Sequence, residues 1–289
     1  MRIAHIILAH KNPAQIERLI KAMNHPNFDF YIHLDKKTDI TPFEYLAKIK
    51  QVSFIERRIV CNWGGFTLVQ SMLNSIDEIQ ETGVFYDFIN LISGQDYPIK
   101  PVREIYDFYN KNLGYSFMSF DESKATKWWQ EAEARYKIYH FTDMPFKGAY
   151  VVQNIINKLL PKRKLPIDVS LYGSNKACWW TLSNDSAKYL SSYFKENPKL
   201  SKFLKFTWGS DEFILVTLLM NSPYKDRVIN ENYRYIDWSA GEAHPKVLKM
   251  KDYEQLAKSK MLFARKFDTA TDDDELLSKL DNNILTITT

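Results

Sequence analysis

Cysteine is scarce in this sequence. The 289 residues contain only Cys61 and Cys178, and no CxxC pair occurs. Two cysteines do not make the disulfide framework of a small secreted domain. A reducing compartment is the simpler interpretation, and we expect a cytoplasmic location.

Long apolar runs are also missing. No stretch approaches the ~20 apolar residues that a helix needs to cross a bilayer. The N-terminal run MRIAHIILAHKN is interrupted by His5 and His10 and has no small-residue cleavage site, so it predicts a buried strand and not a signal peptide. The basic and aromatic region 123–165 is compatible with peripheral membrane contact, but its sequence shows no clear amphipathic stripe.

A strong excess of either charge is lacking as well. The net charge is only +4, which is too weak to make nucleic acid a main partner. The phosphate-binding pattern GxxxxGK[ST] and the zinc pattern HExxH do not occur. A DxD pattern is present at Asp272–Asp274, but no strand is predicted before it. We interpret it as solvated surface and not as a metal site.

Aromatic residues, in contrast, are abundant, with 18 Phe, 17 Tyr and 7 Trp. Many can belong to the core. The remainder would suit a carbohydrate ligand, because an aromatic ring offers an apolar face to the CH face of a pyranose.

The hydrophobic periodicity predicts an α/β fold. A strand at Ile3–Ala9, a helix that begins at Asn12 and Pro13, and a strand at Phe28–Leu34 form the start of a parallel sheet. Residues 120–170 have weak periodicity and are predicted to be an irregular insertion over the sheet. Further strands are predicted at 53–56, 58–61, 86–92, 177–182 and 233–237. Further helices are predicted at 42–50, 68–79, 150–159, 185–194, 210–220 and 251–258. Two more helices are predicted, one that begins at residue 101 and one in the tail after residue 269.

Polar residues follow the first two predicted strands, at the end of the sheet where open α/β folds bind ligands. His10 follows the first strand and Asp35 the second. Asp35 could accept hydrogen bonds from a base or a ribose, although spacing alone favours a turn aspartate. Trp63 opens the motif WGGF, whose two glycines would let the backbone approach a ligand closely. Here too, the motif alone favours a plain turn.

Two later motifs carry carboxylates. LISGQDYP ends an apolar strand with Asp96, which could hydrogen-bond a sugar hydroxyl or cap the chain before Pro98. TWGSDEF has Ser210 as a helix N-cap, followed by Asp211 and Glu212. Acids in a first turn complement the helix dipole. The same positive helix end would keep a carboxylate ionised, as a general base must be.

The order of the motifs resembles the core-2/I-branching N-acetylglucosaminyltransferase and peptide O-xylosyltransferase family. The likeness extends over roughly residues 3 to 270 and is weakest across 123–170. Its motifs, in chain order, are HKNPAQIERLIKAM, FYIHLDKK, WGGFTLVQSML, FINLISGQDYPIK, GSNKACWWTLS, WGSDEFILVTLL, YRYIDWSAGEAHPKVL and LFARKFD.

The resemblance implies a GT-A-like α/β fold with a mostly parallel, Rossmann-type sheet flanked by helices. We predict a single domain, 1–289, with a nucleotide-binding half at about 1–118 and an acceptor-binding and catalytic half at about 119–289. The implied reaction is inverting. Its implied partners are a UDP-sugar donor, carrying GlcNAc or xylose, and a carbohydrate acceptor. No cofactor and no divalent metal are expected.

The resemblance also implies roles for individual residues. The general base lies in the acidic pair Asp211 and Glu212, and Glu212 matches the base position best. Lys266 in FARKFD matches a cation that neutralises the departing diphosphate, with Arg265 beside it and Lys246 as a second candidate. The other implied nucleotide-binding residues are His10, Asp35 and Trp63, and the implied acceptor-binding residues are Asp96, Glu122, Tyr233, Tyr235 and Trp238.

The sequence departs from the Golgi members of the family in lacking a membrane anchor, a stem and many cysteines. These differences favour a bacterial-type cytoplasmic enzyme. A glycoside hydrolase is an alternative function, but it normally needs two carboxylates that face each other across the bond. A non-catalytic carbohydrate-binding protein is another alternative. Binding of UDP would separate both from a transferase.

Overall fold

The computed structural model describes residues 1–144, 146–242, 244–269 and 274–285. Short 3-10 helices lie at Thr41–Lys48, Ser210–Glu212, Lys225–Arg227 and Met250–Asp252, and a π-helical turn at Asp281–Leu285. The strands and α-helices are, in chain order, β1 (Ile3–Ala9), α1 (Pro13–Ala22), β2 (Phe28–Leu34), β3 (Val52–Phe54), α2 (Phe66–Glu81), β4 (Phe88–Ser93), β5 (Asp96–Pro98), α3 (Val102–Lys111), β6 (Ser116–Phe117), α4 (Lys127–Lys137), α5 (Ala149–Leu159), β7 (Thr181–Ser183), α6 (Asn184–Glu196), α7 (Pro198–Leu204), α8 (Ile214–Met220), β8 (Val228–Ile229), β9 (Arg234–Ile236), α9 (Tyr253–Lys258), β10 (Phe263–Arg265) and α10 (Glu275–Leu280).

The main sheet has seven strands in the order β3-β2-β1-β4-β7-β6-β8. Strands β3, β2, β1 and β4 run parallel, β7 is antiparallel to both β4 and β6, and β6 pairs with β8 in parallel. All six residues of β4 are buried. This explains its continuous apolar sequence, because a strand covered by helices on both faces does not alternate. The predicted mostly parallel sheet is confirmed.

Helices cover both faces of this sheet. One buried cluster contains Ile16 and Leu19 of α1 and Ile105 of α3. The other contains Met72 of α2 and Leu190 of α6, together with α8. Each face of the sheet thus has its own hydrophobic core, as expected for an α/β layer architecture.

A second sheet of three strands, in the order β5-β10-β9, was not predicted from the sequence. Of its strands, β9 lies within the strand predicted at 233–237. Strands β5 and β10 were not predicted, because three residues are too few for an alternating pattern to be recognised. In this sheet β10 runs antiparallel to β5, with Arg265 opposite Asp96, and parallel to β9, with Arg265 opposite Ile236. The pairing fixes the FARKFD segment against the SGQDYP turn.

Other local differences from the sequence prediction have simple causes. The predicted helix 42–50 is the 3-10 helix Thr41–Lys48. The predicted strand 58–61 does not form, and the Arg58 side chain instead donates hydrogen bonds to the carbonyls of Leu34 and Thr38. Region 120–170 contains α4, which was missed, and α5, which confirms the helix predicted at 150–159.

The predicted terminal helix is confirmed by α10. Two residues of the DxD pattern, Asp272 and Asp273, lie outside the described residues. The third, Asp274, lies 2.5 Å from Arg18 Nη1. None of the helices in the described ranges is long and apolar enough to span a bilayer.

Candidate active site

A cavity of about 540 Å³ opens at the C-terminal end of the parallel strands. Its wall includes His10 after β1, Asp35 after β2 and Gln95 after β4. This is the end of an open α/β sheet at which ligands bind. The lining also includes Glu212 and Lys266, so residues from both halves of the chain meet in one cavity.

The acidic pair lies on a tight turn and not at the start of a long helix. Asp211 and Glu212 belong to the 3-10 helix Ser210–Glu212, which follows Gly209 in the left-handed region (φ 61°). Phe213 has φ −144° and separates this turn from α8. The predicted helix 210–220 is therefore divided, because Phe213 does not have helical dihedral angles.

Burial opposes ionisation of the acidic pair. Burial raises the pKa of Asp211, and the neighbouring Glu212 carboxylate raises it further. Burial likewise raises the pKa of Glu212, and Arg135 is the largest opposing influence. Ionisation of Glu212 is therefore favoured by a neighbouring cation, Arg135.

Two side chains of α4 hold one oxygen of Glu212. Arg135 Nη1 lies 2.8 Å from Glu212 Oε2, and Trp128 Nε1 donates a hydrogen bond to the same oxygen at 2.7 Å. No donor in the described ranges bonds to the other oxygen, Oε1. Arg135 is itself buried between the rings of Trp128 and Trp208, with its guanidinium carbon 5.2 Å and 4.4 Å from their centroids.

Sequence reasoning missed Trp128 and Arg135. They lie seven residues apart, two helical turns along one face, with Ala132 buried between them. This spacing was the available signal, and the many charged residues around it obscured the helix.

The cationic side of the cavity is formed by Arg265 and Lys266. Arg265 Nε lies 3.4 Å from Asp96 Oδ1, and its guanidinium stacks 3.8 Å from the ring centroid of Trp179. Its buried Nε and Nη1 atoms have no hydrogen-bond partner in the described structure. Unpaired buried donors of this kind are energetically costly, and an anionic ligand would satisfy them.

Lys266 carries a positive charge among other positive charges. Burial lowers the pKa of its ammonium group, and Lys11 and Arg265 lower it further. Lys11 lies 2.5 Å from Asp268, whereas Lys266 forms no ion pair with any of the described residues. An anion in the cavity would relieve this repulsion.

Asp35 fits both interpretations of its motif. Its Oδ1 accepts a hydrogen bond from the Lys37 backbone at 2.9 Å, which is the geometry of a turn aspartate, and the residue also lines the cavity. Trp63 lies at the cavity with 65% of its surface exposed, and it contacts Trp208 edge to face.

The glycines of WGGF serve packing within the protein. Gly64 has φ +73°, and a Cβ there would collide with the indole of Trp208. A Cβ on Gly65 would collide with the carboxylate of Asp143, which bonds to the backbone and hydroxyl of Thr67 at the start of α2. The close approach inferred from the motif is therefore made to protein side chains.

Of the predicted acceptor residues, only Trp238 lines the cavity. Asp96 is fully buried and accepts hydrogen bonds from the backbone and hydroxyl of Ser93. Glu122 is exposed near Asn230. Tyr233 and Tyr235 pack against the core on the β1–α1 side of the sheet.

Lys246 also lies outside the cavity lining. Its Nζ is 2.6 Å from Asp252 and 3.4 Å from Asp237, and this pairing raises its pKa. The structure therefore separates the two lysine candidates, with Lys266 in the cavity and Lys246 in an ion pair beside it.

The cavity has further lining residues that the sequence did not single out. They include Lys11, Gln95, Asn175, Trp179 and His244. Over the described ranges, no group of three or more His, Cys, Asp or Glu side chains is arranged to hold a metal ion.

Comparison with known proteins identifies the family. The sequence profile of the Core-2/I-Branching enzyme matches residues 3–261. The chain belongs to this family. The match runs from β1 through α9 and contains the acidic pair, whereas Arg265 and Lys266 follow its end.

Curated relatives include animal xylosyltransferases. Xylosyltransferase 2 of Rattus norvegicus is 26% identical over 250 residues, which cover 83% of this chain and 27% of that protein. Xylosyltransferase 1 of Homo sapiens is 25% identical over 305 residues, which cover 97% of this chain and 30% of that protein. The chain thus spans less than a third of the length of these relatives.

Solved structures with a related fold show low sequence identity. Mouse xyloside xylosyltransferase 1 is 10% identical with a TM-score of 0.38, over 91% of this chain and 96% of that one. The bifunctional glycosyltransferase WbbM is 14% identical with a TM-score of 0.42, over 98% of this chain and 50% of that one.

Proposed function

We propose that this chain is an inverting, metal-independent glycosyltransferase of the GT-A-like type that moves GlcNAc or xylose from a UDP-sugar to a hydroxyl group of a glycan acceptor. Membership of the Core-2/I-Branching enzyme family supports sugar transfer. The observation that carries the proposal is that one cavity is lined both by the acidic pair and by Arg265 and Lys266.

Glu212 is the general base in this proposal. Its Oε2 is occupied by Arg135 and Trp128, which leaves Oε1 to accept a proton. The acceptor hydroxyl loses its proton to Oε1 as its oxygen forms a bond to the anomeric carbon. The bond from that carbon to the phosphate oxygen breaks, and UDP leaves. One displacement from the opposite face inverts the anomeric configuration.

The departing diphosphate needs positive charge, because its negative charge grows as the bond breaks. Fixed cations in a partly desolvated site stabilise such charge strongly. Lys266, which has no ion pair in the described chain, and Arg265, with its unpaired buried donors, supply it here. These two residues take the part that a divalent metal plays in metal-dependent enzymes.

Two indole rings at the cavity are suited to the sugars. Trp63 and Trp238 line the same cavity as Glu212. Indole faces pack against the CH face of a pyranose and leave the sugar hydroxyls to hydrogen-bond elsewhere. We propose that Asp35 and His10, on the strand side of the cavity, contact the nucleoside.

The test is a thermal-shift titration with UDP, UDP-GlcNAc, UDP-xylose and GDP, each with EDTA and with Mn²⁺. We expect UDP compounds to raise the melting temperature in EDTA, because ligand at about 100 times its Kd stabilises the fold by about 2.7 kcal/mol. Lys266→Met should weaken UDP binding by about tenfold or more, since it removes a charged partner of the diphosphate. Lys246→Met is the matched control and should retain the shift, because Lys246 is already paired with Asp252.

Other results of the thermal-shift titration would contradict particular parts of the proposal. Stabilisation only with Mn²⁺ would contradict the metal-independent reaction. No shift with any nucleotide would contradict the transferase and favour a hydrolase or a carbohydrate-binding protein. NMR of the product anomer would then test inversion, because a retained configuration contradicts the single displacement.

A further inference from the structure

Helix α5 has its apolar face turned outward. Val151, Ile155 and Leu159 form one stripe at a spacing of four residues, and they are 60%, 51% and 77% exposed. Val152 extends the stripe. A surface helix normally directs such a stripe into the core, yet no residue of α5 is buried.

Polar side chains attach the opposite face of α5 to the protein. Gln153 Oε1 accepts a hydrogen bond from the Phe141 backbone at 2.9 Å. Asn157 exchanges two hydrogen bonds with the backbone of Tyr139, at 2.7 Å and 2.9 Å. At about 100° per residue, positions 153 and 157 lie opposite the apolar stripe. The outward direction of the stripe is therefore set by specific hydrogen bonds.

The charged side chains of the segment that carries this stripe are all basic. Residues 144–164 contain no Asp or Glu. Arg163 is buried and bonds to backbone carbonyls. The exposed cations of the segment are Lys147, Lys158, Lys162 and Lys164.

We propose that α5 and its flanking lysines, hereafter the α5 surface, bind an anionic lipid membrane. The helix would lie in the plane of the interface, with its stripe below the headgroups and its lysines at the phosphates. An apolar stripe combined with lysines and few acids is the combination that anchors interfacial helices. The proposal concerns attachment to a surface and does not depend on the proposed sugar transfer.

The charge pattern favours lipid over a second copy of the chain. A two-fold dimer through this face would bring identical lysines close together, and like charges at an interface repel. Lysine is also depleted in the cores of protein interfaces. A bilayer with anionic headgroups matches both the stripe and the lysines.

The experiment is vesicle co-sedimentation of the full chain, with phosphatidylcholine vesicles and with phosphatidylcholine vesicles containing phosphatidylglycerol. We expect binding to the anionic vesicles, weakened by added salt, and at least about tenfold weaker binding to phosphatidylcholine alone. The double variant Ile155→Glu and Leu159→Glu should lose at least about tenfold in affinity, because it removes apolar contact and adds repulsion. Leu113→Glu, at an exposed residue in another part of the fold, is the matched control.

The same experiment can overturn the proposal. The proposal is contradicted if the folded wild-type chain does not sediment with anionic vesicles. It is also contradicted if the double variant binds these vesicles as well as the wild type does. A dimer seen by light scattering, abolished by the double variant and without vesicle binding, would assign the surface to a second copy. Circular dichroism and UDP-induced thermal shift of each variant show that its fold and cavity are intact, so a failure here is distinct from a failure of sugar transfer.

Discussion

The Glu212 carboxylate is held by contacts to one oxygen, Oε2, whereas its other oxygen, Oε1, has no partner in the described structure. Arg135 and Trp128 both contact Oε2. This arrangement fixes the orientation of the side chain while Oε1 remains available, which is the geometry expected of a general base. Asp211, its neighbour, has a buried Oδ1 with no hydrogen-bond partner in the described ranges.

At the residue scale, Glu212→Gln should lower kcat by about 10²–10⁴-fold, because the amide cannot accept the acceptor proton. UDP affinity should change little, since the carboxylate is not assigned to the nucleotide. Turnover assays and the thermal shift with UDP measure the two effects separately. Glu104→Gln, at an exposed residue of α3, is the control and should keep full activity. A Glu212→Gln enzyme with unchanged kcat would remove Glu212 from the role of base.

At the scale of elements, α4 connects the weakly patterned region 120–170 to the acidic turn. It carries Trp128 and Arg135 on one face, and both reach Glu212. The Arg135 backbone carbonyl also accepts a hydrogen bond from Trp208 N at 3.0 Å, next to the turn. The position of Glu212 therefore depends on a helix that contributes no lining residue of its own.

Replacing Arg135 with Met should shift the acidic limb of the kcat–pH profile to higher pH. Arg135 opposes the effect of burial on Glu212, so its loss raises the pKa of Glu212 further. The ionised base is then lost at a higher pH as the pH falls. Lys137→Met is the matched control, because Lys137 lies on the same helix but pairs with Glu133. If both variants keep the wild-type limb, Arg135 does not set the pKa of the base.

At the scale of the whole molecule, the cavity concentrates features that cost stability. It contains two carboxylates whose pKa values burial raises, and the cation Lys266, which has no ion pair among the described residues. Proteins retain such groups where a ligand or a reaction needs them, and removal of them commonly stabilises the fold.

Asp211→Asn should therefore raise the melting temperature at pH 8 and leave it nearly unchanged at pH 3. The folded-state pKa of Asp211 lies above its ordinary value of 3.8. Well below that value the residue is mostly protonated in both states. As the pH rises, the unfolded chain loses its proton first, and folding becomes less favourable until the pH passes the folded-state pKa.

Differential scanning calorimetry at the two pH values measures this effect, and each kcal/mol corresponds to about 2–4 °C for a protein somewhat smaller than this one. Asp168→Asn, at an exposed residue, is the control and should change neither value. An Asp211→Asn shift that is equal at both pH values would show that ionisation is not its cause.

The sequence by itself determined most of the framework. The apolar strands β1, β2 and β4 and the helix periodicity of α1 and α2 are local properties, since side-chain spacing along an element sets the face that is buried. The order of the motifs also indicated the family, and the match over residues 3–261 confirmed it. The acidic pair and FARKFD were found at the same stage because they are contiguous in the chain.

Only the tertiary structure decided which of these residues meet. Trp128 and Glu212 lie 84 residues apart, and no local pattern records their hydrogen bond. The same holds for Asp96, which is buried beneath Arg265, and for Lys246, which is paired outside the cavity. Burial and neighbouring charges fix the availability and the pKa of a side chain, and both depend on residues that folding brings from distant parts of the chain.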